Sequence, residues 1–400
     1  MIMGAAGCDL AGRSAYAEPA EYVDPRLVEA NTGFAFDLFH ALKEGAPSKN
    51  MFISPASVSL ALAMTFNGAA GETAEAMGKV LHIEDMNLDE INSAFADLRT
   101  ILQNPDPRVK LAIANSLWAR EGVDFYEEFL RRNRDFFNAG VEALDFSSPG
   151  AARTINRWVE KQTGGQIKDL IEPPIDPLTV LFLINAIYLK AEWSKPFDTN
   201  QTRDIPFYLP DGSSKQRPVM FQEGEFQYLD GEGFQAVNIP YGKNGRIGMY
   251  IFLPDPDQSL EDFYRQLDSS AWSSWMGSFK QTEGTVGLPR FKYEYESSLN
   301  DVLKSLGMEI AFDSQAADFS AMRPTPPRLY IAEVKHKAFV EINEKGTEAA
   351  AATSVEMKCT SAAPTPDRFT MIIDRPFFFS IVDQKTCSIL FMGSVTDPQQ

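Results

Sequence analysis

Histidine and cysteine, which often serve as nucleophiles, general bases or metal ligands, are few in this chain of 400 residues and lie far apart, and the plentiful Asp and Glu show no spacing that singles out a catalytic pair. The histidines and cysteines are His40, His82, His336, Cys8, Cys359 and Cys387. No pair of them has the spacing of a zinc site or an HExxH motif. Three cysteines are also too few for a disulfide framework. Because the nucleophile-elbow, phosphate-loop and dinucleotide fingerprints are missing as well, the sequence predicts no enzymatic activity, no metal ion and no cofactor.

One segment offers a different chemistry, that of a peptide which another protein could cut. The stretch NEKGTEAAAATSVEMKCTSAAPTPDRF, residues 343–369, lies between two segments with strand composition. Alanine and glutamate favour helices, so TEAAAATSVEM could form an exposed helix. Its attachment to strands at both ends, together with Pro364 and Pro366, favours an extended connector instead.

The first half of this connector has the side-chain alternation of a strand, in which every second residue shares a face. An uncharged face would consist of Thr347, Ala349, Ala351, Thr353, Val355 and Met357. The opposite face would consist of Glu348, Ala350, Ala352, Ser354, Glu356 and Lys358. This pattern fits a strand with one face on a core and the other in solvent. Gly346 would supply the backbone freedom needed to reverse direction after VEINE.

The elements that would hold this connector are helices in the first part of the chain and strands in the second. Apolar residues on one face predict helices in EANTGFAFDLFHALKEG, SVSLALAMTFNGAAG and RTINRWVEKQTGGQIKDLI. After Leu178, β-branched and aromatic residues predict strands in TVLFLINAIYLKAEW, GFQAVNIPYG, RIGMYIFLPD, GTVGLPRFKYEY, LYIAEVKHKAFVEIN, TMIIDRPFFFSIVD and SILFMGSV. One helix, SLNDVLKSLGM, interrupts them. The order of helices and strands indicates the α+β class. Within the last predicted strand region, Cys387 is expected to be a small buried apolar residue.

The chain is expected to form one domain over residues 27–398, preceded by a flexible leader over residues 1–26. Small residues before Cys8 resemble the end of a lipoprotein export signal, although the charged and apolar parts that precede such an end are missing. One interpretation is that Cys8 marks a trimmed export signal, which would place the protein outside the cell or at the cell surface. The other is that these residues are simply an unstructured start of the chain. The longest apolar run, residues 179–189, is too short to span a bilayer.

The charge balance argues against polyanionic partners. The chain has 37 Lys and Arg against 55 Asp and Glu, a formal net charge of −18. Such a chain repels phosphate and sulfate backbones, and no basic run counters this locally. We therefore expect binding neither to nucleic acid nor to heparin-like polymers.

Several long motifs, in the right order, resemble the serpin family from Leu27 to Pro398. They are NMFISPASVSLALAM, INAIYLKAEWSKPFD, LPRFKYEYESSLNDVLKSLGM, VKHKAFVEIN, EKGTEAAAAT and DRPFFFSIVDQKTCSILFMGSVTDP. The resemblance implies helices packed around a large, mostly antiparallel main sheet with smaller sheets. It also implies an exposed reactive-centre loop, here about residues 344–368. The short chain and its leader suggest a prokaryotic member.

The resemblance implies a monomeric, irreversible suicide inhibitor of serine proteases that forms a covalent acyl complex. The alternative is a non-inhibitory serpin with a carrier, chaperone or storage role. The residues that match the family's hinge are Glu344, Gly346, Thr347, Glu348, Ala349, Ala350, Ala351, Ala352 and Thr353. Since the uncharged face holds small residues where the loop would enter the sheet, the hinge favours the inhibitor.

Family spacing from Gly346 gives Thr360–Ser361 as the scissile bond, with Cys359–Thr360 and Ser361–Ala362 as one-residue alternatives. A small residue at the cut suits elastase-like or subtilisin-like proteases with shallow pockets. A trypsin-like target would instead need the bond after Lys358.

The resemblance also implies a polar gate beneath the main sheet. The matching residues, here called the shutter residues, are Ser54, Ser57, Asn185 and His336, with Asn156 in support. Exchangeable hydrogen bonds suit a place where strands must part. Without the resemblance, the same residues would be ordinary polar side chains, each satisfied separately. Trp193 matches the family's tryptophan at the point where the loop first enters the sheet.

Overall fold

The computed structural model describes residues 22–46, 49–103, 105–326, 328–347 and 368–398. The leader before Tyr22 lies outside the described residues. So do the hinge residues Glu348, Ala349, Ala350, Ala351, Ala352 and Thr353, and the expected scissile pair Thr360 and Ser361.

The helices cluster in the first part of the chain, as the apolar periodicity predicts. They are α1 (Pro25–Gly45), α2 (Pro55–Phe66), α3 (Gly71–Val80), α4 (Leu88–Leu102), α5 (Glu127–Phe137), α6 (Ala151–Gln162), α7 (Leu260–Arg265), α8 (Ser269–Met276) and α9 (Asn300–Leu303). Short 3₁₀ turns cover Thr199–Gln201 and Glu309–Phe312, and a π-helical turn, Lys304–Met308, continues α9. Asp24 caps α1 by accepting a hydrogen bond from Arg26, and Pro25 occupies the first turn, where its missing N–H costs nothing.

The strands occur throughout the chain. They are β1 (Met51–Ile53), β2 (Val109–Arg120), β3 (Gly140–Leu144), β4 (Leu181–Glu192), β5 (Arg203–Tyr208), β6 (Ser214–Gly231), β7 (Phe234–Tyr241), β8 (Ile247–Pro254), β9 (Lys280–Pro289), β10 (Phe291–Ser298), β11 (Lys335–Asn343), β12 (Gly346–Thr347), β13 (Phe369–Ile372), β14 (Phe377–Asp383) and β15 (Ser388–Val395).

A six-stranded sheet, here called the main sheet, has the order β10-β11-β12-β4-β2-β3. Its pairs are antiparallel apart from the parallel pair of β2 and β3. The α+β class is confirmed, but the expectation of helices followed by strands is too simple, because β2 and β3 lie among the helices. A short apolar run such as that in β2 can be a buried strand or a helix, and periodicity does not distinguish the two.

A second sheet of nine strands has the order β1-β15-β14-β8-β7-β6-β9-β13, with β5 paired to β6. In β8, β14 and β15 every residue is buried, so both faces of these strands are covered. Helix α2 packs against β4 of the main sheet and β15 of the nine-stranded sheet. It therefore joins the two sheets inside the core, and its buried residues lie around most of its circumference.

Cys387 differs from its sequence-based interpretation, because it is exposed and not buried. It lies in the turn between β14 and β15 with a left-handed φ of +56°. The strand SILFMGSV begins only at Ser388, so the cysteine ends the hairpin turn instead of entering the sheet.

Across the described ranges, no helix is both long and apolar enough to cross a membrane. The same residues contain no group of three or more His, Cys, Asp or Glu side chains that could hold a metal ion.

Candidate functional site

The hinge begins as a two-residue strand, β12, inserted between β4 and β11 at one end of the main sheet. Thr347 pairs with Ala191 of β4 and Ile342 of β11. Gly346 pairs with Glu192 and Asn343 in the same way. Thr347 is buried, so the uncharged face predicted from the sequence starts on the core side of the sheet.

Gly346 fits its position only because it has no side chain. Its φ is +142°, which side chains disfavour, and a Cβ atom there would come within 2.0 Å of the Ala191 carbonyl oxygen. The backbone freedom expected of this glycine is therefore used to pass a neighbouring strand at close range.

Glu344 anchors the turn that leads into β12. Its buried carboxylate accepts hydrogen bonds from Arg290 Nε at 2.7 Å and from Thr202 Oγ1 at 2.6 Å. Its carbonyl oxygen accepts from the backbone N–H of Phe197 at 2.8 Å. Burial by itself would raise the pKa of Glu344, but the hydrogen bonds from Arg290 and Thr202 outweigh it and lower that pKa below its ordinary value.

Trp193 lies beneath this turn and holds it from the end of β4. The indole Nε1 donates to the Asn343 carbonyl oxygen at 2.9 Å, and the Trp193 backbone N–H donates to the Lys345 carbonyl oxygen at 2.8 Å. The ring stacks on Tyr241 with centroids 4.2 Å apart. The hydroxyls of Tyr241 and Thr347 lie 2.8 Å apart and share a hydrogen bond, so the aromatic pair also contacts the first inward-facing residue of the hinge.

A cleft of about 820 Å³ extends from the shutter residues towards the start of β4. One rim is formed by β4 and the residues before it, and the other by residues 328–337. On the β4 side, β2 occupies one edge of the strand, and among the described residues only Ala191 and Glu192 are paired on the other. The remaining backbone N–H and C=O groups on that edge are positioned to accept a further strand.

The opposite rim of the cleft is fixed from its outer side. Asn300 donates through Nδ2 to the Ala332 carbonyl oxygen and accepts from the Val334 N–H through Oδ1, both at 2.8 Å. The Leu299 N–H donates to the Val334 carbonyl oxygen at 2.8 Å. The start of α9 thus holds this rim by its outer backbone groups.

The structure brings four of the five expected shutter residues into one hydrogen-bonded chain at the cleft. The Ser54 N–H donates to His336 Nε2 at 3.2 Å. The Ser57 N–H donates to Ser54 Oγ at 3.2 Å, which caps helix α2. The Ser57 hydroxyl donates to Asn185 Oδ1. The chain joins α2 to β4 and β11, the two strands on either side of the cleft.

Asn156 lies apart from this chain of hydrogen bonds. Its side chain donates to the Ile171 carbonyl oxygen at 2.8 Å and accepts from the Ile171 N–H at 2.7 Å. It therefore fastens the segment that follows α6 back onto the helix, and it has no hydrogen bond to the shutter residues among the described contacts.

The sequence analysis missed some residues of this site. Asn115 extends the shutter, because it accepts from Asn185 Nδ2 at 2.6 Å and donates to the Phe137 carbonyl oxygen at 2.6 Å. Its position within the apolar run LAIANSLW was a usable signal, since a buried amide needs a partner. Arg290 and Tyr241 carry no comparable signal, because their partners are far away in the sequence.

Comparisons with known proteins agree with the architecture. The serpin family profile, described as serpin (serine protease inhibitor), matches residues 29–398. A leukocyte elastase inhibitor of Bos taurus is 38% identical over 385 residues, which cover 93% of this chain and 100% of that protein. The solved structure of a thermophilic serpin, tengpin, in its native state has a TM-score of 0.85 and 33% identity over 94% of this chain and 95% of that one. Human thyroxine-binding globulin in complex with thyroxine has a TM-score of 0.83 and 30% identity over 94% of this chain and 99% of that one.

Replacing Gly346 by alanine should destabilise the protein strongly, because the added Cβ meets a strand backbone that has no room to move. We expect Gly346→Ala to lower the free energy of unfolding by about 3 kcal/mol or more. The matched control is Gly212→Ala, where φ is +81° but a Cβ meets nothing within 4 Å. That control should lose only about 1–2 kcal/mol. Equal losses in urea unfolding would contradict the steric role of Gly346.

A lower pH should reduce the free energy of unfolding, because the buried His336 must then take up a proton. Burial lowers the pKa of this side chain from 6.5 to about 4. The unfolded chain therefore takes up a proton on this histidine at a higher pH than the folded protein does. The contribution of neutral His336 to the free energy of unfolding is fully present above pH 6.5 and is lost as the pH drops towards 4. The loss should reach about 3 kcal/mol. It should disappear in His336→Gln and remain in the control His40→Gln, as measured by urea midpoints between pH 7 and 4.

Proposed function

This chain belongs to the serpin family, and from that premise we propose that it is a suicide inhibitor that traps serine proteases as covalent acyl complexes. The observation that carries the proposal is the hinge itself. Two of its residues, Gly346 and Thr347, already form a strand between β4 and β11, in the register that a longer inserted strand would continue.

The register of β12 relates the hinge to the shutter residues. Thr353 lies six residues after Thr347, and the partners six residues before Ala191 and Ile342 are Asn185 and His336. Continued insertion would therefore bring the Thr353 hydroxyl, on the core-facing side, between two members of the shutter. Its hydrogen bonds could replace those that are lost when the sheet opens.

The chemical step belongs to the protease. Its serine oxygen attacks the carbonyl carbon of Thr360, and the C–N bond to Ser361 breaks. The serine proton passes through the protease histidine to the departing amino group of Ser361. Thr360 then remains esterified to the protease, and the freed segment can insert into the cleft and carry the protease with it.

Insertion is favourable because it pairs backbone groups on both sides of a new central strand. Each hydrogen bond contributes a net stabilisation of about 1 kcal/mol, so a dozen would contribute on the order of 10 kcal/mol. That amount is comparable to the stability of a whole domain. The uncut protein is then kinetically trapped, because the loop is tethered at both ends until the peptide bond breaks.

The small residue at the proposed cut supports an elastase-like or subtilisin-like target. A threonine side chain fits a shallow specificity pocket, whereas trypsin-like enzymes need a basic residue. The similarity to a protein named leukocyte elastase inhibitor supports the same class.

A second candidate is a carrier that releases or stores a small molecule. The structural similarity to thyroxine-binding globulin in complex with thyroxine favours it. The hinge composition argues against it, because Thr347, Ala349, Ala351 and Thr353 are small and uncharged on the inserting face. Mixing the protein with subtilisin or pancreatic elastase separates the two functions. An inhibitor gives a complex that survives boiling in detergent, whereas a carrier gives only cleaved product.

A pair of substitutions on opposite faces of the hinge should behave differently. Ala351→Arg puts a charge on the face that must enter the core, so insertion should slow and most encounters should end in cleavage without a complex. Ala352→Arg, its neighbour, puts the same charge on the solvent face and should remain inhibitory. The measurement is the ratio of complex to cleaved product on denaturing gels, and equal ratios for the two variants would refute insertion in this register.

The cut should lie within one residue of Thr360–Ser361. Mass spectrometry of the C-terminal fragment released on denaturation should therefore show a chain beginning at Ser361, or at Thr360 or Ala362. A fragment that begins at Cys359, from a cut after Lys358, would instead indicate a trypsin-like target.

A further inference from the structure

Two exposed apolar side chains stand on opposite rims of the cleft, at its end farthest from the hinge. Leu178 is 77% exposed and Tyr330 is 40% exposed, and both line the cleft. We propose that this pair, here called the terminal seat, binds the surface of the protease after insertion and slows its escape from the acyl complex. The inference rests on the proposed inhibitory function and deepens it.

Leu178 is held outward by a rigid turn. Its N–H donates to Asp176 Oδ1 at 2.7 Å, and the Thr179 N–H donates to the Asp176 carbonyl oxygen at 3.0 Å. Arg120 fastens the same turn to β2, because its Nε donates to the Thr179 carbonyl oxygen at 2.7 Å. A large apolar side chain that is held in solvent in this way contributes little to the fold and is available to bury apolar surface of a partner.

Tyr330 is held in a comparable way on the opposite rim. The following residue, Ile331, donates its N–H to the Ala311 carbonyl oxygen at 2.9 Å, and Ala332 accepts from Asn300. The backbone beside the tyrosine is therefore fixed to the α9 side of the rim. Because tyrosine has few rotatable bonds, it gives a large contact area at a low cost in conformational entropy.

The register of β12 brings the acylated residue to the terminal seat. In the continued register Leu181, the first residue of β4, would pair with Met357, so Thr360 lies three residues beyond the end of that ladder, at the count that reaches Leu178 in the turn before β4. The position thirteen residues before Ile342 is Leu329, the neighbour of Tyr330. Full insertion would thus carry the ester bond to the level of both side chains.

The occupant of the seat is the esterified protease, because Thr360 is its point of attachment. A protease pulled against the end of a sheet is strained around its active-site serine, and strained or partly unfolded proteins expose apolar residues. Leu178 and Tyr330 would bury such surface from either side of the ester. They would thereby delay the return of the catalytic geometry that hydrolyses the bond.

The test compares the lifetimes of purified covalent complexes with subtilisin. The double variant Leu178→Ser/Tyr330→Ser should form the complex at the same rate and stoichiometry as the unsubstituted chain, because neither residue takes part in the hinge or the shutter. The complex should then release active protease about tenfold faster, measured as recovered cleavage of a chromogenic substrate. A tenfold change in rate corresponds to about 1.4 kcal/mol.

The matched control is Tyr208→Ser, which removes another exposed tyrosine, 52% accessible, from strand β5. Its complex should keep the original lifetime.

Equal lifetimes for the double variant and the unsubstituted chain would overturn the terminal seat, while complex formation by both would leave the inhibitory function intact. A dimer of the unsubstituted chain in size-exclusion chromatography that is lost in the double variant would also overturn it, since a second copy would then be the occupant. If the unsubstituted chain forms no covalent complex, the inhibitory function itself fails.

Discussion

The main sheet depends on a close approach between two backbones, that of Gly346 and that of Ala191. A Cβ at residue 346 would meet the Ala191 carbonyl oxygen, so only glycine allows β12 to begin between β4 and β11. Glu344 fixes the turn on one side of the glycine through Arg290 and Thr202. Because the first pair of the ladder sets the register of all that follow, this contact also determines which hinge residues would face the core.

Much of the fold follows from sequence pattern alone, since most predicted helices and strands coincide with elements of the structure. The predictions were best for segments with a helical period, such as α1, and for segments rich in β-branched and aromatic residues, such as β8. Of the predicted hinge alternation the described residues reach only Thr347, which is buried, and the remaining positions stay a prediction. The strand β2 was missed because an apolar run between helices has no period that marks it as a strand. The turn position of Cys387 was missed because the preceding residues QKT are weak turn signals.

The site was harder to predict than the fold, because its contacts join residues that are distant in the chain. The resemblance to a family gave Ser54, Ser57, Asn185 and His336, and their hydrogen bonds connect them. It did not give Asn115, which completes the chain of amides, or the stacking of Trp193 on Tyr241. Asn156 shows the opposite case, since a residue at a matching position serves the segment after α6 instead. Residue type indicates a need for hydrogen bonds, whereas only the packing decides the partner.

The buried position of the C-terminal hairpin has a consequence for the molecule after proteolysis. Strands β14 and β15 lie in the interior of the nine-stranded sheet, between β1 and β8, and every one of their residues is buried. A chain severed ahead of β13 would consist of two polypeptides held together only by noncovalent contacts. Such a nicked molecule would stay intact under native conditions yet would be a heterodimer in thermodynamic terms, so its reassembly after denaturation would depend on protein concentration.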